Sequence, residues 1–480
     1  MKNKALKHIL SIAPVIFLVA LLAIVIRIYG IDALSGASQL VLILSTGIAV
    51  LIAISFFKVR WKTIENEINR AIGSIGSPIV ILLLIGLLSG TWMASGVVPT
   101  LIYYGIQTIN QHVFLISCCI ISAVVSVMTG SSWTTVATIG IALMGIGKAE
   151  GFSDGWIAGA ILSGAYFGDK MSPLSDTTVL ASSLCGTPLF EHIRYMIITT
   201  VPAFIITLII FLSAGFFVHP EADIDTTMFT AALSGKYNIT LWVCLVPIIT
   251  GWMIYKKIPA IVVLFVSSMI AAIFAVIFQP SVLTEIAGTR DISVVNLFKG
   301  AMQCGFGRAE VSCGYAPVDE LLATNGMTGM LKTVWIILCA ICFGGVMKAS
   351  GMLENIVRLI IPMTKTRVGL VSSTVFSGIF FNATAADQFL SIMLNASMFK
   401  EIYSKEGYEP RLLSRSIEDS STVTSVLIPW STCGMTQATV LNVPTLTYLP
   451  YCFFNILAPV TSIIIASIGY RIYRKGVCQV

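Results

Sequence analysis

The run Gly168-Asp169-Lys170-Met171-Ser172-Pro173-Leu174-Ser175-Asp176-Thr177-Thr178 decides how the rest of the chain is read. It sets two carboxylates, an amine, four hydroxyls and a proline between two apolar segments. Ionisable groups at membrane depth are costly and mark substrate, ion or proton paths. Proline and glycine beside them free backbone groups, which membrane depth tolerates only where the backbone is buried in protein or lines a wet cavity. Carboxylates, hydroxyls and open backbone together suit a hard cation or a proton.

The surrounding composition supplies the lipid-soluble context. The 480 residues are 56% hydrophobic and 11% charged, with mean hydropathy +0.91. Soluble domains carry about 25% charged residues. Apolar runs of about 20 residues recur along the chain, so the expected fold class is an all-α polytopic membrane protein. Candidate spans are 9–29, 38–57, 78–96, 112–147, 156–193, 195–217, 239–255, 258–278, 331–348, 367–399, 413–445 and 446–470. Four of them (112–147, 156–193, 367–399 and 413–445) are too long and broken for one straight helix. The stretch 58–77, with Lys58, Arg60, Lys62 and Arg70, is amphipathic, and 295–326 has no evident place.

The net charge of +6 comes from Lys and Arg at the ends of apolar runs. That is the positive-inside pattern of a membrane protein and does not point to nucleic acid. The span Ile9–Ile28 follows Lys2, Lys4 and Lys7 and is too long for a signal peptide, so it is expected to stay. The N-terminus, 58–70, Arg194, Lys256-Lys257, 358–367 and Arg471-Arg474-Lys475 are expected in the cytoplasm, the acidic loop 219–225 outside. Lys148 and Arg194 then fall on one side. This predicts a re-entrant hairpin over 156–193, with 413–445 as its counterpart from outside.

Ala94-Ser95-Gly96 returns as Ala349-Ser350-Gly351, and at the same offset Thr129 meets Thr384. The two copies face opposite ways in the charge map, predicting inverted repeats with discontinuous helices and a midplane site. The expected organisation is 1–77 (N-terminal spans and linker), 78–217 (first repeat), 218–330 (connecting spans) and 331–480 (second repeat).

Four discontinuities are expected to converge: Thr129–Trp133, Gly168–Thr178, Asn382–Gln388 and Asp419–Cys433. The candidate ion or substrate ligands are Asp169, Ser172, Ser175, Asp176, Thr177, Thr129, Ser131, Ser132, Asn382, Thr384, Asp387 and Asp419. Sodium is placed at Asp176 and Asp387, and Lys170 is either a counter-charge or a direct participant. Asp419 has an alternative as a helix cap near the outer surface. His112 and His192 read as interfacial, and Trp133 and Trp430 line the cavity or pack. The eleven cysteines, including Cys339 and Cys342, read as packing residues. No phosphate-binding loop or hydrolase triad is present. The chain is therefore expected to be no enzyme, to need no cofactor, and to draw its energy from ion gradients.

Tyr166 to Thr178 closely resembles the signature of the NhaC family of sodium/proton antiporters. Thr129-Gly130-Ser131-Ser132-Trp133, Leu321-Leu322 with Asn325-Gly326-Met327, and the Gly344-Gly345 helix are similar to it too. The resemblance runs from about residue 75 to 465. It implies exchange of sodium for protons at the cell membrane, an inverted-repeat fold and a homodimer, with Asp169, Ser172, Ser175, Asp176 and Thr177 at the transport site. Some members instead couple sodium or protons to a small organic anion such as malate or lactate. Lys348 stands where members often carry an acid, which leaves room for such a carboxylate. An ion channel is the third alternative.

Overall fold

Apolar runs in a medium without water must bond their own backbone, and the helix does this residue by residue. The computed structural model describes residues 2–29, 36–218, 226–359 and 365–474. The acidic loop 219–225, residues 360–364 of the basic stretch 358–367, and Lys475 lie outside them. Named strands are absent among the described residues, which form an all-helical bundle.

The chain opens with α1 Lys2–Tyr29, α2 Ala37–Ser55, the amphipathic α3 Trp61–Ser74, α4 Gly76–Ala94 and α5 Val97–Thr108. Next come α6 Gln111–Thr129, α7 Ser132–Thr135, a π-turn Val136–Gly140 and α8 Ile141–Ala149. They lead to α9 Asp154–Met171, α10 Asp176–Cys185 and α11 Leu189–Phe217. The middle holds α12 Thr226–Lys236, α13 Leu245–Tyr255, α14 Ala260–Phe278, α15 Pro280–Ile286, α16 Val294–Phe306 and α17 Ala316–Leu322. The last third has α18 Gly326–Ala349, α19 Met352–Val357, α20 Arg367–Ala385, α21 Gln388–Lys405 and α22 Pro410–Ile417. A π-turn Glu418–Thr422 and a 3-10 turn Ser425–Leu427 precede α23 Thr432–Leu441, α24 Thr445–Tyr448 and α25 Phe453–Ile468. Among the described residues eight helices are long and apolar enough to cross a membrane, or ten if two bent pairs each count as one span. This is a multi-pass membrane protein.

The helix α11 is a ruler of about 40 Å at 1.5 Å per residue. Trp156 of α9 packs on Phe211 and Phe167 stacks on Phe204 at 3.8 Å. Thr199, nearer the start of α11, bonds Asp419, the partner of Lys170. Thus α9 and α10 together run antiparallel along α11 from one end towards the other. The segment 111–150 behaves differently. His112 meets Gly215 and stacks on Phe216, and Gln111 donates to the Glu150 carbonyl at 2.9 Å. Both of its ends therefore sit at the Phe217 end of α11.

The second half also contains a pair of helices that doubles back, α20 and α21, with Thr374 bonded to Tyr403 and Asn395. Lys400 of α21 reaches the Leu184 carbonyl near the Leu189 end. From Arg411, paired with Glu191, α22 and α23 run on to Asn442 beside Lys148. The expected hairpins over 156–193 and 413–445 are therefore corrected: the segments that double back are 111–150 and 367–405. The charge-based expectation grouped Lys148 with Arg194, whereas Lys148 pairs with Asp154 at 3.2 Å and lies near Glu150, towards the Phe217 end of α11.

The repeated helix ends have a backbone signature. Gly96, Gly130 and Gly186 take φ of 79°, 67° and 76°. Gly351, Ala386 and Asn442, 255 or 256 positions later, take 70°, 56° and 54°. Left-handed residues of this kind terminate helices.

Helices α6 and α9 pack closely through small residues. A Cβ at Gly164 would lie 2.1 Å from the Cys119 carbonyl oxygen, and one at Gly168 2.5 Å from that of Ala123. Gly164→Val is expected to cost about 1–3 kcal/mol by overpacking and to lower the unfolding temperature in detergent. An unchanged midpoint would contradict this packing.

Candidate functional site

Where helices break, each new N-terminus leaves amide donors that a side chain must satisfy. Four such half-helices meet here. Ser131 caps α7 by accepting from Thr134, and Ser175 caps α10 by accepting from Thr178. Asp387 caps α21 by accepting from Leu390 at 2.9 Å, and Ser431 caps α23 by accepting from Gly434 at 2.9 Å.

Asp169 lies at the C-terminal end of α9 and is 5% exposed. Its Oδ2 accepts from the Ser132 hydroxyl at 2.7 Å and the Ser132 amide at 3.1 Å. Its Oδ1 accepts from the Ser175 hydroxyl at 2.6 Å, and Ser175 also meets Thr177 at 2.9 Å. Asp169, Asp176, Thr177, Ser131, Trp133 and Gln388 share the wall of a cavity of about 280 Å³, lined by no Lys, Arg or His among the described residues. Asp176, the first residue of α10, is exposed at its mouth.

Asp387 forms a second cluster. Its Oδ2 accepts from the Thr432 hydroxyl at 3.3 Å, while the Thr432 amide donates to the Ala386 carbonyl at 2.8 Å. The break between α20 and α21 is thus fastened to the start of α23. Asn382 donates to the Ser421 carbonyl at 2.7 Å and to Thr424 at 3.0 Å, tying α20 to the second broken segment. Trp430 donates to the Ala383 carbonyl, while Trp133 lines the Asp169 cavity.

Three expected ligands turn to the backbone instead. Thr384 bonds the Phe380 carbonyl of its own helix, as membrane helices allow for Thr. Ser172 donates to Val127, and Thr129 bonds Ser126, Ser131 and Thr135. These residues hold the breaks in shape.

Asp419 does not lie near a surface, so its alternative as an outer cap is corrected. It is fully buried, ion-paired with Lys170, and accepts from Thr199 at 3.0 Å. Lys170 is fully buried too. His192 is likewise not interfacial. It is completely buried and 2.8 Å from Ser414, because α22 covers the start of α11. Arg415 and Glu418, both fully buried, were not singled out from the sequence. The Arg415 guanidinium lies 4.6 Å from the Tyr195 ring centroid and its Nε 3.9 Å from Asp419. The available signal was their charge inside the apolar segment 413–445. Lys348 lies outside the site, 3.2 Å from Glu67 of α3.

The sequence profile of the Na+/H+ antiporter family matches residues 164–470. The chain is 34% identical to the Na+/H+ antiporter NhaC of Alkalihalophilus pseudofirmus, over 88% of each chain. It is 34% identical to NhaC of Bacillus subtilis, over 85% of this chain and 88% of that one. It is also 34% identical to the malate-2H+/Na+-lactate antiporter of Bacillus subtilis, over 91% and 90%.

Removing one member of a buried ion pair leaves a charge without compensation, at about 3–5 kcal/mol. Lys170→Met or Asp419→Leu alone is expected to lower thermal stability sharply. The double variant is expected to recover most of the loss. Additive losses in that double-variant cycle would refute the pairing.

Proposed function

The chain belongs to the Na+/H+ antiporter family, and on that footing we propose that it exchanges sodium ions for protons across the cell membrane at Asp169. One observation carries this: a buried carboxylate with three donors faces a cavity that holds a second acid and no base. A carboxylate in such a place can take either a proton or a cation, but not both. Competition for one site couples the two fluxes.

Ser132 and Ser175 donate to Asp169 while it is a bare carboxylate. A hydroxyl also has two acceptor lone pairs, so a turn about its C–O bond offers oxygen to sodium. When Asp169 is protonated it becomes a donor itself. Asp176 at the mouth raises the local cation concentration, and Thr177 adds an oxygen. Asp387 with Thr432 is assigned a second sodium position on the same breaks.

Six Asp, Glu, Lys and Arg side chains are buried among the described residues: Asp169, Lys170, Asp387, Arg415, Glu418 and Asp419. Four acids against two bases leave room for added positive charge. For the organic-anion alternative, the site lacks a free amine, since Lys170 already faces Asp419.

The Leu189 end of α11 is assigned to the cytoplasm. Arg194, Lys400, Arg411 and Arg471 lie at that end, as the positive-inside rule requires. Both termini then face the cytoplasm, 111–150 and 367–405 are the re-entrant hairpins, and the two halves are inverted repeats. Ser77, Pro78 and Ile81, at the start of α4, line the Asp169 cavity, and its mouth is assigned to the cytoplasmic side with them. The homodimer implied by the family resemblance completes the assignment.

In proteoliposomes with an internal pH dye, sodium alone is expected to evoke a pH change. Asp169→Asn should abolish it, and Asp176→Asn should raise the half-saturating sodium several-fold. Wild-type exchange in Asp169→Asn, with normal insertion, would sink the assignment.

A further inference from the structure

A chain that crosses a membrane ends its spans where lipid meets water, and basic side chains collect there. One such collection closes around a cavity of about 440 Å³, away from the helix breaks. Lys365 and Arg367 line it from the start of α20, Glu406 and Tyr408 from just past α21, and Tyr473 and Arg474 from the end of the described chain. Three bases therefore face one acid. The cavity lies at the Leu189 end of α11. There the Tyr195 hydroxyl donates to the Arg471 carbonyl at 2.8 Å, and Arg411, paired with Glu191, sits 4.1 Å from the Tyr473 ring centroid.

The walls are fastened in place. Tyr408 and Arg474 form an isolated bridge, and the Glu409 amide donates to the Tyr473 carbonyl at 3.3 Å. The Arg474 guanidinium lies 5.3 Å from the Tyr408 ring centroid. On the α20 side, Arg367 donates through Nε and Nη2 to the Ala466 and Ser467 carbonyls at 2.6 and 2.9 Å, at the end of α25. Arg367 is thus committed to a helix end. Lys365 is exposed and has neither ion pair nor hydrogen bond among the described residues. Glu406 forms no ion pair among them either, so the one acid in the wall does not neutralise the bases.

A lipid-facing surface begins at the same place. Helix α20 is one of those long and apolar enough to cross a membrane, and Lys365 and Arg367 stand at its start. On α25, Val460, Ile464 and Ile468 are four apart and 45, 48 and 69% exposed. This apolar stripe ends beside the carbonyls that Arg367 holds. Guanidinium and ammonium groups match phosphate oxygens. Basic pockets between spans on the cytoplasmic side suit anionic lipid headgroups. A soluble anion would gain nothing from the stripe.

We propose that this cavity holds the phosphate headgroup of an anionic phospholipid, with an acyl chain lying along Val460, Ile464 and Ile468. Lys365 and Arg474 meet the phosphate, while Arg367 and Tyr408 hold the walls. The lining residues stand at both roots of the doubled-back segment 367–405, so the headgroup clamps the two ends of the element whose break carries Asp387. The assignment does not rest on sodium/proton exchange at Asp169.

The test is thermal unfolding of the purified full-length protein in detergent, with phosphatidylglycerol, phosphatidylcholine or inorganic phosphate added at matched ionic strength. Phosphatidylglycerol should raise the midpoint beyond phosphatidylcholine in a saturable way, and inorganic phosphate should not. Lys365→Gln and Arg474→Gln should each raise the half-saturating phosphatidylglycerol concentration about fivefold, the scale of one lost basic contact at a membrane surface. Lys365 makes no polar contact among the described residues, so its variant reports binding and not folding. The double variant Lys62→Gln/Lys256→Gln removes two exposed bases outside the cavity and should leave the response unchanged. Equal responses to the two lipids would overturn the site. So would an unchanged response in Lys365→Gln or Arg474→Gln, or an equal loss in the Lys62→Gln/Lys256→Gln control. A response to inorganic phosphate as large as that to phosphatidylglycerol would make the ligand a soluble anion and overturn the lipid assignment.

Discussion

Burying ionisable side chains inside a lipid-soluble bundle is the constraint on which this structure depends. Charge at membrane depth is tolerated when paired or in contact with water. The protein uses both solutions side by side. Lys170 and Asp419 neutralise each other with no exposure at all. Asp169, one residue earlier, turns to a cavity and three hydrogen-bond donors. Successive residues of one helix end thus place one charge in a buried ion pair and the other in a cavity wall.

Broken helices make that separation possible. An unbroken helix satisfies its own backbone and offers no amides to a buried carboxylate. The break at Gly130 frees the Ser132 amide, which Asp169 takes. The break at Ala386 frees the Leu390 amide, which Asp387 takes. Hydroxyl caps at Ser131, Ser175 and Ser431 satisfy the remaining ends. Threonines that bond the backbone, such as Thr384 and Thr129, preserve the shape of the breaks. Small residues in α9 let α6 approach closely, which brings the first break against the motif that carries Asp169.

A second cavity, of about 330 Å³, shares the wall of α4 with the Asp169 cavity. The two differ in sign, one lined by acids and the other by lysines.

The sequence alone determined the membrane class and the positions of all four breaks, and it singled out Asp169, Ser132, Ser175 and Asp387 as candidates. These follow from local facts: apolar length, helix-breaking residues, and charge where charge is expensive. It did not determine which broken segments double back, because charge counting groups Lys148 with Arg194, whereas Lys148 pairs with Asp154 towards the other end of α11. Nor did it distinguish a hydroxyl that bonds a buried carboxylate, such as that of Ser175, from one turned to its own helix, such as that of Thr384. Only tertiary structure decided that Lys170 belongs to Asp419, 249 residues away, and that Arg415 and Glu418 are buried with them. The physical reason is that the cost of a buried charge is set by its neighbours in space. Composition and spacing can place the charge, but the packed bundle chooses its partner.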